Sequence, residues 1–393
     1  MQLIYRLIAG RFFQNLAFAA PIQTLFFQAR GLSLTQVMLL QSVLLGCALL
    51  LEVPTGIIGD RIGKKWSVMC GLACALLAWI PWLMAQDMWL FAVAFILLGA
   101  SQAFISGSDQ AWLYELLAAK GKASEMKKTY GLYLSMSTMG YAIAGLTGGF
   151  LAANQTLPEF TRLYVLTAAA QAVAFLLYIS VPRSRGETDD ASPAEKSLKI
   201  FKTALGLLAG NANLRRIVIL ALLTTPFTGA LFTLFQPYFV ASNVPGAWFG
   251  VALFVSSLGA TCAKIFSHKL EEWLGVGPST LIATILPGVL WIAMAGVFNP
   301  VGAVLLFVLS DAAANVQDPI FADYFNRHIP SAVRATTLSL ISLLTTGYLL
   351  LIQPFIGWIA DQNLRWAFIF MGAIIIVGSV FARVNDGHMK SES

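Results

Sequence analysis

Charge is what this sequence has least of. Asp, Glu, Lys and Arg make up 11% of its 393 residues, against roughly 25% in ordinary soluble domains. With 58% hydrophobic residues, arranged in blocks of about twenty, it has the material to cross a hydrocarbon layer about 30 Å thick many times. That excludes a soluble globule. Histidine is rarer still: His268, His328 and His388 all fall in loops or the tail, so no imidazole relay is expected through an apolar span. The four cysteines, Cys47, Cys70, Cys74 and Cys262, sit inside apolar spans, which excludes a disulfide framework. Cys70 and Cys74 share a helix face, but two thiols without other soft ligands make a poor metal site. No metal site and no cofactor is expected. Met1 leads almost directly into the first span without a small-residue cleavage site, so no cleaved signal peptide is expected. No nucleophile–base pair or His–carboxylate set stands near a membrane boundary, and the loops are too short for a catalytic domain, so an enzyme is not expected.

What is present is a regular succession of apolar segments. They predict spans at 4–28, 36–58, 67–85, 88–118, 129–152, 161–182, 214–240, 247–267, 278–298, 301–325, 332–360 and 364–384. With the N-terminus inside, only Arg30, Arg162 and Arg365 of the 25 Lys and Arg fall on the outer side, the bias that orients membrane helices. The net charge of +6 therefore belongs to membrane topology and not to nucleic-acid binding. The expected protein is an all-α membrane protein of twelve transmembrane helices in two pseudo-symmetric six-helix bundles, residues 1–182 and 214–384, with both termini cytoplasmic and a tail at 385–393. Between the bundles, residues 183–213 form a cytoplasmic linker. Its first part has flexible-linker composition; its second places Leu198, Phe201, Leu205 and Leu208 on one face with Lys199 and Lys202 on another, an amphipathic helix for the inner membrane surface.

The halves echo one another. Asp109-Gln-Ala-Trp recurs as Asp318-Pro-Ile-Phe, Gly140-Tyr141 as Gly347-Tyr348, and Gly149-Phe-Leu-Ala as Gly357-Trp-Ile-Ala, at a near-constant offset of roughly 208 positions, the mark of an internal repeat. One charged stretch stands out, Glu52-Val-Pro-Thr-Gly56-Ile-Ile-Gly-Asp60-Arg61-Ile-Gly63-Lys64-Lys65, between the apolar runs Val37–Leu51 and Trp66–Met84. Its pattern Gly56-x-x-x-Asp60-Arg61-x-Gly63-Lys64-Lys65 resembles the signature loop of the major facilitator superfamily of transporters. Length, span count, central loop and duplication extend the likeness over nearly the whole chain.

That resemblance implies a secondary transporter working by alternating access, in which the signature loop acts as a conformational latch: Asp60 at the N-terminal end of span eleven, near 331–336, with Arg61, Lys64 and Lys65 engaging neighbouring helices. A carboxylate suits a positive helix end, and Gly56 and Gly63 suit close helix approach and a tight turn. Glu52 is assigned to the same network. The plainer reading is that the basic residues only fix orientation. The resemblance also implies a cavity lined by the first, fourth, seventh and tenth spans, which points to Asn15, Phe18, Gln102, Asp109, Phe227, Gln236, Asp311 and Asn315, with Arg11 near the inner end of span one.

Depth, at 1.5 Å per helical residue, divides the acidic groups. Asp311 lies roughly 15 Å into span ten by that rise and is the candidate for proton titration or cation contact, since burial penalises a charged carboxylate; a structural, hydrogen-bonded aspartate is the alternative. Asn315 and Asp318 follow on its face. Asp109 and Asp318, nearer the cytoplasmic boundary, are candidates for gate residues that pair with Lys or Arg. Amides and aromatics dominate this set, which suits an amphipathic, cationic or neutral solute more than a phosphate or dicarboxylate. Two departures from the proton-antiporter pattern stand in view: Gly99-Ala-Ser-Gln102-Ala103 lacks the arginine of Arg-x-x-Gln-Gly, and Ala144-Gly145-Leu-Thr-Gly148-Gly149 lacks the proline of Gly-Pro-x-x-Gly-Gly. The expected function is proton-coupled efflux of a small amphipathic or cationic compound by a monomer in the inner membrane. The alternatives are a divalent-cation transporter using Asp311, Asn315 and Asp318 as hard oxygen ligands, an uncoupled facilitator, and a non-transporting sensor or scaffold.

Overall fold

A computed structural model describes residues 2–182, 202–203, 205–225 and 227–382. Among the described residues the regular structure is all helical. Ten helical segments are long and apolar enough to cross a membrane. The interrupted stretch Gln2–Ala29 and the 26-residue helix Met126–Leu151 occupy the two remaining expected positions, so the predicted count of twelve fits. Large apolar side chains such as Leu50, Trp89, Leu351 and Phe381 stand exposed, as a surface solvated by lipid requires and a water-facing one does not.

The helices are α1 (Gln2–Gln14), α2 (Gln23–Ala29), α3 (Leu34–Ile62), α4 (Lys64–Met84), α5 (Met88–Ile105), α6 (Ser108–Ala118), α7 (Met126–Leu151) and α8 (Leu157–Ile179), then α9 (Ala212–Thr224), α10 (Phe227–Ala241), α11 (Gly246–Leu274), α12 (Val276–Gly296), α13 (Pro300–Asn315), α14 (Gln317–His328), α15 (Arg334–Gln362) and α16 (Leu364–Phe381). Their starts follow from local chemistry. Ser33 and Gln36 form a reciprocal capping box at α3, while Asp87 accepts from the amides of Trp89 and Leu90 at α5, and Asn299 from that of Gly302 at α13. Each satisfies helix-end donors that have no partner within the helix.

Three of the expected spans, the first, fourth and tenth, are broken, between α1 and α2, between α5 and α6, and between α13 and α14; in the seventh, α9 ends at Thr224 and α10 begins at Phe227, with residue 226 outside the described residues. Span four breaks at Gly107, which adopts φ +71°, a region that costs residues with a Cβ. The three broken spans are among those that the resemblance assigned to the cavity wall, although the sequence was read as giving each of them as one continuous helix.

The chain divides into two compact units, residues 1–189 with 245–254, and residues 190–244 with 255–393. In the first, Leu7, Leu72, Trp112, Tyr133 and Tyr178 form a buried cluster, and Phe26, Phe27, Trp82, Phe91, Phe95 and Tyr164 pack ring against ring. The glycine face of α7 lies hard against α1 and the chain after it. A Cβ on Gly140 would stand 2.5 Å from the Phe12 carbonyl oxygen, and one on Gly148 would collide with that of Phe18. In the second unit Leu214, Ile217, Phe321 and Tyr324 are buried together. Leu208 packs against this cluster, while Leu205 is exposed. Lys202 is exposed; Leu198, Lys199 and Phe201 of the expected amphipathic linker lie outside the described residues, as does the tail.

Candidate functional site

In the first unit, the break in span four and the end of α1 border a cavity of about 460 Å³. Its polar side is formed by Arg11, Gln14, Asn15, Gln102, Asp109 and Gln171, and its apolar side by Leu44, Leu72, Leu98 and Ile105. Asp109 is the second residue of α6, in the first turn, where unpaired amides favour an anion. Arg11 approaches it from the last turn of α1, with Nη1 3.6 Å from Asp109 Oδ2. The Tyr133 hydroxyl donates to the same oxygen at 3.2 Å, and the guanidinium lies 4.9 Å from the Tyr133 ring centre. Gln14 Oε1 accepts from Arg11 Nη1 at 3.3 Å and from the Tyr178 hydroxyl at 3.3 Å. Asn15 donates through Nδ2 to the Arg11 carbonyl at 2.9 Å, which also accepts from the Asn15 amide at 3.3 Å where α1 ends. The result is a mostly buried wall holding one cation and one anion.

The structure therefore brings Asn15, Gln102 and Asp109 to one cavity. Phe18, also expected there, packs with Leu16, Ala144 and Ala170 instead. Gln14 and Gln171 escaped the sequence reading, although an amide inside an apolar span is the signal that picked out their neighbours. Gln171 is held by the Trp79 indole at 2.8 Å.

The second unit holds its acidic groups differently. Asp311, on α13, is only 3% exposed. Its Oδ2 accepts from the Ser256 hydroxyl of α11, and its Oδ1 from Asn315 Nδ2 at 2.9 Å. Both partners are neutral. Asp318 sits in the first turn of α14, the position that Asp109 takes in α6, and pairs with Lys264 of α11 at 2.9 Å. The repeated aspartates thus share a helix start after a break and a basic partner from another span. Asp318 is largely exposed; of the set grouped from the sequence, Asp311 and Asn315 bond to each other, while Asp318 pairs with Lys264. Phe227 is fully buried against Trp291 and Tyr348, and Gln236 is buried on α10.

The signature stretch is mostly helical. Read from the sequence as a polar turn after a span ending at 58, it continues α3 to Ile62, and Gly63 alone, at φ +93°, makes the turn into α4. Only glycine takes that conformation without strain. Among the described residues no atom lies within 4 Å of where a Gly56 Cβ would stand, so the close approach expected there is not seen. Asp60, in the last turn of α3, pairs with Lys64 at the start of α4, across the Gly63 turn. Lys65 is buried and donates to the Ile179 carbonyl at 3.0 Å, capping the end of α8. Glu52 and Arg61 are exposed on α3.

Known proteins share this fold. A family model described as Major Facilitator Superfamily matches residues 7–352. The MFS-type transporter YxaM of Bacillus subtilis (strain 168) is 24% identical over 332 residues, covering 82% of this chain and 80% of its own. The crystal structure of the nucleoside transporter NupG superposes with a TM-score of 0.79 at 15% identity, over 100% of both chains. That of a bacterial homologue of the iron transporter ferroportin, in an inward-facing state, does so with a TM-score of 0.72 at 14% identity, over 99% of each. At such identities the structural likeness speaks to the fold. Together with a family match that spans most of the sequence, it makes this chain a multi-pass membrane transporter that belongs to the Major Facilitator Superfamily.

Proposed function

We propose that the chain is a secondary active transporter that exports a small amphipathic or cationic organic solute in exchange for protons, by alternating access. It acts as a monomer in the inner membrane with both termini cytoplasmic. The cavity of the first unit carries the solute reading. An apolar wall of Leu44, Leu72, Leu98 and Ile105 faces amides and the Arg11–Asp109 pair, which suits a molecule with one greasy and one polar side. A volume of about 460 Å³ falls within the usual range for small-molecule pockets, about 300–1,000 Å³.

Asp311 supports the proton reading. Its hydrogen-bond partners, Ser256 and Asn315, bring no positive charge. A hydroxyl can donate to a carboxylate or accept from a carboxylic acid, so Ser256 can serve either form. The span-four arginine of the antiporter pattern is absent, which leaves Asp311 as the group to carry the proton. Asp109–Arg11 and Asp318–Lys264 act as gate pairs that form and break through the cycle. Glu52, Gly56, Asp60, Arg61, Gly63, Lys64 and Lys65 act as the latch that favours one state. A divalent-cation carrier would need Asp311, Asn315 and Asp318 on one ion, and the Lys264 ammonium at Asp318 opposes that.

The test is proton flux in proteoliposomes holding the purified protein and a pH-reporting dye, with a panel of amphipathic cations and neutral compounds. Wild type is expected to move protons when a compound is moved, and Asp311→Asn to lose that exchange. Compound flux without protons in both proteins would make this an uncoupled facilitator and overturn the proton assignment.

A further inference from the structure

The Arg11–Asp109 pair is unusual in how little of the guanidinium it uses. Arginine offers five N–H donors in a planar fork. Here both polar contacts of the head group, to Asp109 at 3.6 Å and Gln14 at 3.3 Å, run through Nη1 alone. Nε is buried and has no acceptor among the described residues. The separation from Asp109 is also long for a charge-assisted hydrogen bond, which closes to about 2.7–2.9 Å. The guanidinium is held by the Tyr133 ring, and its Nε edge is unspent. A bidentate acceptor such as a carboxylate matches the Nε–Nη2 edge of a guanidinium.

Charge balance restricts what else such an acceptor must carry. Arg11 and Asp109 are the charged residues that border the cavity, and their charges cancel. An anion bound at Arg11, or a cation bound at Asp109, would leave the other charge of this part-buried pair without its partner, which is unfavourable. A solute that brings both signs replaces the pair with two new ones and leaves the cavity neutral. The wall of Leu44, Leu72, Leu98 and Ile105 adds an apolar requirement.

We propose that the solute is an amphipathic zwitterion, with a carboxylate-like group close to an ammonium. It binds by splitting the Arg11–Asp109 pair, the acidic group on the Arg11 fork and the ammonium on Asp109, with its apolar part against the leucine wall. This rests on the first-unit cavity being the solute site. Asp109 then gates because the solute itself competes for it.

The test uses purified full-length protein and a panel of aliphatic and aromatic amino acids, each offered in three forms: the zwitterion, its methyl ester (a cation) and its N-acetyl derivative (an anion). Binding is read by calorimetry and flux in proteoliposomes. In wild type at least one zwitterion is expected to bind, with its ester and N-acetyl forms at least tenfold weaker. Arg11→Gln should reverse the order in favour of the ester, and Asp109→Asn in favour of the N-acetyl form. Preference of wild type for the ester over the zwitterion would overturn this inference and leave the cationic-solute reading standing. Failure of every form to bind would overturn both. The wild-type comparison decides even where a variant does not fold.

Discussion

Arg11 and Asp109, from the first and fourth spans, meet through one guanidinium nitrogen, and Tyr133 serves both: its hydroxyl donates to the carboxylate and its ring supports the cation. The fourth span carries Gly99-Ala-Ser-Gln102-Ala103, with no arginine, yet a cation reaches this wall from the first span. Tyr133→Phe keeps the ring and removes the hydroxyl. It should cost about 1.5–3 kcal/mol, the range for hydrogen bonds to charged groups, in denaturant unfolding of the solubilised protein. In a double-mutant cycle with Asp109→Asn the two losses should fall short of additivity; strict additivity would mean that the hydroxyl and the carboxylate do not act together.

The glycines of α7 are not equivalent. Gly148→Ala would drive a methyl group into the Phe18 carbonyl, whereas nothing stands within 4 Å of a Cβ on Gly131. Gly148→Ala should abolish monodisperse expression or lower the melting point sharply. Gly131→Ala should be neutral or stabilise by up to about 1 kcal/mol through helix propensity. Fluorescence-detected size exclusion with heating separates the two, and equal behaviour would refute the assigned packing.

Neighbouring lysines of the signature stretch should also part company. Lys65→Met leaves the Ile179 carbonyl at the end of α8 without its donor, at a cost of about 1–3 kcal/mol. Lys64→Ala breaks a pair with an exposed partner and should cost less than about 1 kcal/mol. If the latch acts as proposed, Asp60→Asn slows flux at least tenfold while thermal stability stays near wild type. A variant that loses stability and flux together would argue for a structural role.

Ser67→Ala tests the seam at the span-four break. Its hydroxyl donates to the Phe104 carbonyl at 2.8 Å and accepts from Ser108 at 3.1 Å. Losing both should destabilise by about 1–3 kcal/mol, again read by denaturant unfolding. An unchanged midpoint would mean that the seam is held by packing alone.

The membrane class, the span positions and the pairing of Asp109 with Asp318 as repeats were legible because each is written in local composition or in a motif. The breaks were less so. Span four announces its own in Ser106-Gly107-Ser108, but span ten breaks at Val316, between Asn315 and Gln317, with no glycine there to mark it. Long-range partners were illegible for a different reason. Nothing near Arg11 in the chain says that it meets Asp109, and nothing near Lys65 says that it caps α8; both depend on how helices lie side by side. Glycines could be noticed but not sorted: Gly56 and Gly148 look alike in sequence, and only the latter is pressed against backbone.

Ser67 has a wider consequence. A Cβ on Gly59, one residue before Asp60, would stand 3.0 Å from the Ser67 oxygen; Ser67 bonds to Ser108, and Ser108 is followed by Asp109 at the cavity. The C-terminal end of α3 and the cavity wall are therefore two hydroxyls apart. If solute occupies the cavity as proposed, this is a short side-chain path by which its presence reaches the signature stretch.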